Sequence, residues 1–336
     1  MRRVRGETVG LAETWRASLD EYVVRRAAVG RDVVVGLGSG ELVLLDGATG
    51  ARRWSQSAHP GGVLALDARD GRIVSAGQDG RAALRDASGD VLAEVRSTDR
   101  RAPWIEHAVL GRGARSFALG VGATVQLHDD SGALSFAAPM ASTVAALAFR
   151  PDDGALAACA YGGVRIWSLD TLEHRDLSWK GSLLSLAWRP DGRIIACASQ
   201  DSSVHFWRLP TGADSQMSGY PGRIRVVSWD GRGELLATSG DETLTLWDFS
   251  GRGPEGTRPI QLAGHLTTVT CAAFHPRRGL LASGSSCGEV RLFHPRGGRA
   301  PIAAVELEEE VTTLGWSDDD LLVGTAEGTM VALRCA

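Results

Sequence analysis

Residues 183–248 constrain the fold of this chain most, because they hold two copies of one pattern laid end to end. The first reads LLSLAWRPDGRIIACASQDSSVHFWRLPTG and the second IRVVSWDGRGELLATSGDETLTLWDFSG. In each, an alternating run ends at a Trp (Trp188, Trp229), a polar turn leads into an apolar run, and a second turn closes on an Asp (Asp201, Asp241). Six residues later comes another Trp (Trp207, Trp247), and these two are 40 residues apart. Short alternating runs divided by Pro, Asp and Gly turns are strands joined by tight hairpins. A fixed period of this length is an internal repeat.

The repeat extends along the chain. One column, on the third strand of each unit, runs Leu45, Arg85, His128, Trp167, Trp207, Trp247, Phe293 and Leu333; another, on the first strand, runs Ala68, Leu110, Phe149, Trp188, Trp229, Phe274 and Trp316. The columns give eight units, and seven if those of Arg85 and His128 are misread. Fourth strands read as ARRWSQ, DVLAEV, ALSFAA, EHRDLS and PIAAVEL. The last unit, at 311–335, has only three, while residues 8–18 (TVGLAETWRAS) form a strand without a unit. Pairing of that strand with the last unit would close the units into a ring, removing the bare edge and bare apolar face of an open stack. Residues 1–336 then form a single all-β domain, with no linker or low-complexity tract.

Composition narrows the function. At 336 residues and 43% hydrophobic the chain can bury a large interior. Its net charge of −4 supplies no basic field for nucleic acid or an anionic membrane. The cations are almost all Arg, with Lys180 the lone lysine, a bias that fits a GC-rich bacterial genome. Five scattered cysteines make no disulfide framework. No apolar run reaches the ~18 residues of a membrane span, and no apolar segment follows the basic start as in a signal peptide. A cytoplasmic protein is expected.

Four-stranded units of this length, with GHLTTVTCAAFHPRRGLLASGSSCGEVRLF at 264–293 and TLTLWD at 243–248, resemble WD40 repeats. The resemblance is strong from about Thr143 onward. It implies a WD40-like β-propeller of eight four-stranded blades. It also implies a relay in each blade of a His before the first strand, a Ser or Thr on the second, an Asp in the turn and a Trp on the third. Its residues here are His59, Asp79, Asp201, Trp207, Asp241, Trp247 and His265. Trp179 and Tyr220 take the His place in two blades, and Phe293 and Arg85 replace Trp in two others, so no blade is expected to have a complete relay. WKGS at 179–182, HFWRLP at 205–210 and MSGYP at 217–221 resemble a group of bacterial WD40 proteins often encoded beside CobW-type GTPases, which implies a link to metal homeostasis. LLDGATGARRW at 44–54 resembles the docking repeat of eight-bladed propellers that bind pyrroloquinoline quinone, and it occurs well formed once.

Residues with chemical potential mostly have structural readings. His275 and His294 each precede Pro in turns on one face and read as solvent-facing, with Cys287 a strand length away and too distant for zinc. Cys159, Cys197, Cys271 and Cys335 read as small buried hydrophobes. Asp152 with Asp153, and Asp318 to Asp320, read as turn carboxylates bonding their own backbone. Glu308 to Glu310 read as the channel rim. GLGSGE at 36–41 is a hairpin turn with no helix after it. The sequence assigns no catalytic, cofactor or metal residue. What remains is a surface: the loops before first strands and between second and third strands place Gln78, Trp104, Gln200, Tyr220, Arg223, Arg225 and Thr268 on one face. The reading is therefore a monomeric, non-catalytic scaffold binding a protein or peptide, a metal-handling GTPase among the candidates. The alternative is an enzyme or small-molecule binder with a site in the central channel.

Overall fold

The computed structural model describes residues 10–97, 104–251 and 253–335. Its strands form eight antiparallel sheets taken in chain order, the blades of a propeller. Blade 1 runs from Val23–Val29 to Arg52–Ser57, blade 2 from Val63–Arg69 to Val91–Arg96, and blade 3 from Ile105–Leu110 to Leu134–Pro139. Blade 4 runs from Ala146–Phe149 to His174–Ser182, blade 5 from Ala187–Trp188 to Asp214–Met217, and blade 6 from Ile224–Trp229 to Ile260–Leu262. Blade 7 runs from Val269–Phe274 to Ala303–Glu306, and blade 8 begins with Val311–Ser317. In blade 4 the extended stretch Ala155–Ser168 serves as second and third strand together, its first half pairing with Ala146–Phe149 and its second with His174–Ser182. Leu169 N–H reaches the Gly154 carbonyl at 3.1 Å, so the stretch doubles back on itself.

Blade 8 closes the ring. Its three strands end with Thr329–Cys335, and Leu11–Ser18 pairs antiparallel with that strand, from Leu11 opposite Cys335 to Ser18 opposite Thr329. Thr8 and Val9, expected in the same strand, lie outside the described residues. Trp15 of this strand is buried, and its Nε1 donates to the Gly47 carbonyl of blade 1 at 2.9 Å, so the closing strand is tied to both neighbours.

The interior has no single centre. Buried apolar side chains separate into eight clusters, each lying between two adjacent blades. Val74 and Leu84 of blade 2 meet Phe117 and Leu119 of blade 3, for example, and Leu292 of blade 7 meets Leu321 and Leu333 of blade 8. The third-strand column explains much of this, since all its members but the half-buried Trp247 are buried.

The first-strand column has a different use. Trp188, Trp229 and Trp316 each send Nε1–H back to a first-strand carbonyl of the preceding blade: Ala148 at 3.1 Å, Ala187 at 3.3 Å and Ala273 at 3.1 Å. A buried indole N–H needs such an acceptor. Near the other end of the first strands a register shift recurs, at Val23/Arg25, Val63/Ala65, Ile105/His107, Val269/Cys271 and Val311/Thr313. A bulge releases side chains from the pleat, and the released Thr312 hydroxyl donates to the Val23 carbonyl of blade 1 at 2.7 Å. Thr270 bonds the Val311 carbonyl in the same way, and His107 Nε2 lies 3.0 Å from that of Val144. Among the described residues no helix is long and apolar enough to cross a membrane.

Two outcomes test this packing. Deleting residues 1–18 bares the edge of Thr329–Cys335, and size-exclusion chromatography is expected to show aggregation; an equally soluble and stable product would refute closure by this strand. Trp207→Ala, in the cluster between blades 4 and 5, is expected to cost about 3 to 5 kcal/mol in urea unfolding through the cavity it leaves.

Candidate functional site

The relays come first, because they hold the loops from which a binding face is built. In blade 2 His59 Nδ1 lies 3.1 Å from Asp79 Oδ1 and Nε2 2.8 Å from Ser75 Oγ, to which Arg85 Nη1 donates at 3.0 Å. Arg85 thus stands where a Trp was expected and still completes the chain. In blade 6 Trp247 Nε1 donates to Tyr220 Oη at 2.7 Å and to Thr238 Oγ1 at 3.1 Å, and the two hydroxyls are 2.7 Å apart. Burial pushes the Tyr220 phenol up to about 12, so it stays neutral. In blade 7 His265 Nε2 is 2.6 Å from Ser283 Oγ and Nδ1 is 3.2 Å from Glu289 Oε2. Cys287 holds the place that Asp79 has in blade 2, so the carboxylate comes from two residues further on. Burial opposes the charge on Glu289, but the Leu266 N–H, Arg291 and His265 outweigh it and its pKa falls.

Blade 2 closes a four-membered relay with Arg85 in the Trp place, whereas that of blade 6 lacks the turn carboxylate and that of blade 7 lacks a third-strand donor, Phe293 standing there. In blade 5 Trp179 fills the His place, with Nε1 3.4 Å from Ser199 Oγ and its ring stacked on His205 at 3.9 Å, while His205 meets Trp207 edge-on at 4.3 Å. The His205 nitrogens are buried without a hydrogen bond; Asp214 Oδ2 is 3.0 Å from Nε2 but out of line for one. Asp201 and Asp241 stand outside the relays. Asp201 accepts from its neighbour Ser203 at 2.6 Å, and Asp241 from Thr268 of the next blade at 2.8 Å.

Other readings also change. Of the two readings of Tyr220 the His-place one holds and the binding-face one falls, since its hydroxyl is spent inside blade 6. His275 is buried, not solvent-facing, and its Nδ1 accepts the N–H groups of Arg277 and Arg278 at 3.1 Å each. Cys159 and Cys197 are fully buried, but Cys271 and Cys335 only partly. Asp319 and Asp320 pair with His275 and Arg334 instead of their own backbone. Glu309 turns inward to the hydroxyls of Thr325 and Thr329. Among the described residues no group of three or more His, Cys, Asp or Glu is placed to hold a metal ion.

On the face built from loops before first strands and between second and third strands, Gln78, Trp104, Gln200, Arg223 and Arg225 are exposed and Thr268 is half-buried. Two of these come together. Gln200 and Arg223 line a cleft of about 540 Å³ across blades 4, 5 and 6, floored by Ala145, Leu183 and Leu184 and walled by Tyr161. Gln78 and Trp104 stand elsewhere on the same face. Among the described residues the exposed aromatics are Tyr22 (45%), Trp104 (50%) and Tyr161 (59%), and all three stand on this face, as does Leu266 at 84%, in the loop before blade 7. Tyr22, Tyr161 and Leu266 escaped the sequence reading, though each sits in a loop position that the repeat register identifies.

The family model described as "WD domain, G-beta repeat" matches residues 171–208, 215–248 and 256–294, about a third of the chain. Each match begins at or before the outer strand of one blade and ends with the third strand of the next. The chain is an eight-bladed β-propeller with WD40 repeats at these three places. Among curated proteins, rat coronin-7 is 26% identical over 132 residues, covering 36% of this chain and 14% of coronin-7. THO complex subunit 3 of Arabidopsis thaliana is 26% identical over 163 residues, covering 46% of this chain and 50% of that protein. The chain thus spans at most half the length of these relatives. Over its whole fold it is similar to the crystal structure of the computationally designed Ika8 protein, with a TM-score of 0.81 and 20% identity, covering 96% of this chain and 99% of the designed one. At that identity the likeness is one of fold.

The relays make two outcomes testable. Tyr220→Phe removes the hydroxyl shared by Trp247 and Thr238 and is expected to cost about 1 to 2 kcal/mol in chemical unfolding. Burial holds the pKa values of His59, His107, His128, His205, His265 and His275 below the ordinary histidine value. The unfolded chain then binds more protons below about pH 6.5, so stability is full above that value and falls as pH drops through it. A pH series of thermal melts is expected to show this decline, and a His59→Gln/His265→Gln variant a shallower one.

Proposed function

We propose that this propeller is a non-catalytic scaffold that docks a protein or peptide on the face bearing Tyr161 and Arg223. The carrying observation is that the exposed aromatics among the described residues all stand on that face, and that one of them, Tyr161, walls a cleft with an apolar floor and an arginine at its rim. Aromatic and arginine side chains dominate binding hot spots because they bring large contact area and directed hydrogen bonds at little ordering cost. Arg223 and Arg225 have no ion pair within the chain among the described residues, which leaves both available to acidic groups of a partner. The relays suit this role. They fix the loops from beneath, so little ordering entropy is lost on docking. THO complex subunit 3, one of the matched proteins, is by its name a component of a complex.

A finer reading names the partner as a metal-handling GTPase of the CobW type and places the work in the cytoplasm. Its support is the resemblance carried by WKGS and MSGYP, whose Trp179 and Met217 serve inside the fold, Trp179 in the His place and Met217 buried.

Affinity purification from the native host, with mass spectrometry, compares wild type with Tyr161→Ala/Arg223→Glu. A stoichiometric protein bound by wild type and reduced at least about tenfold by the variant is expected, that is, about 1.4 kcal/mol or more of lost affinity. Equal recovery by both would place the interface elsewhere, and a GTPase among the lost proteins would establish the finer reading.

A further inference from the structure

We propose that the inner ring of first strands holds a small oxyanion, a phosphate or carboxylate group, at Arg26. Arg26 lies on the first strand of blade 1, and its guanidinium occupies the space left free by Gly315 on the first strand of blade 8. A Cβ at Gly315 would fall 1.4 Å from Nη2 and 2.6 Å from Cζ. The Nε is buried without a partner. Among the described residues no carboxylate pairs with this guanidinium; Arg85, whose Nε is likewise unpartnered, bonds Ser75 through Nη1, and Arg291 pairs with Glu289 and Glu306. Desolvation lowers the Arg26 pKa to about 10, which still leaves it charged at neutral pH. The nearby Cys271 thiol cannot neutralise it, because burial holds that thiol in its protonated form with a pKa of about 12.

The surroundings favour an anion. The eight first strands carry Arg25, Arg26, Arg69 and Arg225 against only Asp67 and Glu106, in a chain whose net charge is −4. Asp67 gives its oxygens to the N–H groups of Ala68 and Leu110, at 2.9 Å each. Among the described residues Arg25 donates to its neighbour's carbonyl and has no ion pair, and after burial its charge is a lesser cause of the lowered pKa of His107. A guanidinium whose Nε is buried without a partner and that no carboxylate neutralises is unfavourable, and an oxyanion offers the paired acceptors that fit a guanidinium edge. Arg26 as a whole keeps partial exposure, so the seat is open to solvent and to a small ion.

Equilibrium dialysis of the full chain against radiolabelled inorganic phosphate, at constant ionic strength in sodium chloride, tests the site. Wild type is expected to retain phosphate saturably and stoichiometrically. Arg26→Met removes the charge, and Gly315→Ala keeps the charge but fills its seat; each is expected to weaken retention at least about tenfold. Displacement of phosphate by acetate would mark a seat for carboxylates as well, and its failure a seat selective for tetrahedral oxyanions. Failure of wild type to retain either ion, or retention by Gly315→Ala equal to wild type, would overturn the proposal. Gly315→Ala carries the test if Arg26→Met does not fold. Since Gly315 and Arg26 lie away from the cleft of Tyr161, this outcome is independent of the protein-docking reading.

Discussion

Everything in this structure depends on apolar packing between neighbouring sheets. A four-stranded sheet of this size has two faces, and here both are apolar, so no blade could be stable alone. Val34 and Leu44 of blade 1 turn toward Ile73 of blade 2, while Val33, Val35 and Val43 on the alternate positions turn toward Met330 and Ala332 of blade 8. The strand period of two thus feeds two interfaces at once. A ring satisfies every such face, and the pairing of Leu11–Ser18 with Thr329–Cys335 makes that ring from a single chain.

Directional bonds then act on top of this packing, and their chemistry is interchangeable. The relay of blade 2 ends in a guanidinium, that of blade 6 begins in a phenol, and that of blade 7 takes its carboxylate from two residues beyond the usual turn position. What is constant is a continuous path from the loop before the first strand to the second-strand hydroxyl: Ser75, Thr238 and Ser283 each occupy that place. Any donor or acceptor of suitable reach serves, because the requirement is that buried polar groups be satisfied.

This is why the fold was legible in the sequence and the site only partly. Blade number and ring closure follow from period and hydrophobic alternation, which survive when Trp becomes Leu, Phe or Arg. Arg85 and His128 looked like breaks in the column, yet both are buried third-strand residues, one bonded to Ser75 and the other stacked on Phe117. The relays were legible only in part: His59, Asp79, Trp247 and His265 follow from residue type, but Arg85 and Glu289 enter by distance across strands, which residue type does not record. Tyr220 had two readings in the sequence, binding face and His place, and its hydroxyl meeting Trp247 decides for the second. His275 was misjudged for a related reason: a His-Pro turn looks solvated, but its ring packs on Trp316 at 4.7 Å.

The division of labour between blades and loops also separates stability from recognition. Tyr161, Arg223 and Leu266 are exposed and outside the apolar clusters between blades, so the ring can vary them at little cost to itself. Arg26 is the opposite case. It sits on a first strand, against the backbone of a neighbouring blade, where a methionine would fill space without an unpaired charge. A residue whose replacement by an apolar one would relieve the fold is poorly explained by the fold, and that asymmetry directs attention from the outer face of the propeller to its inner ring.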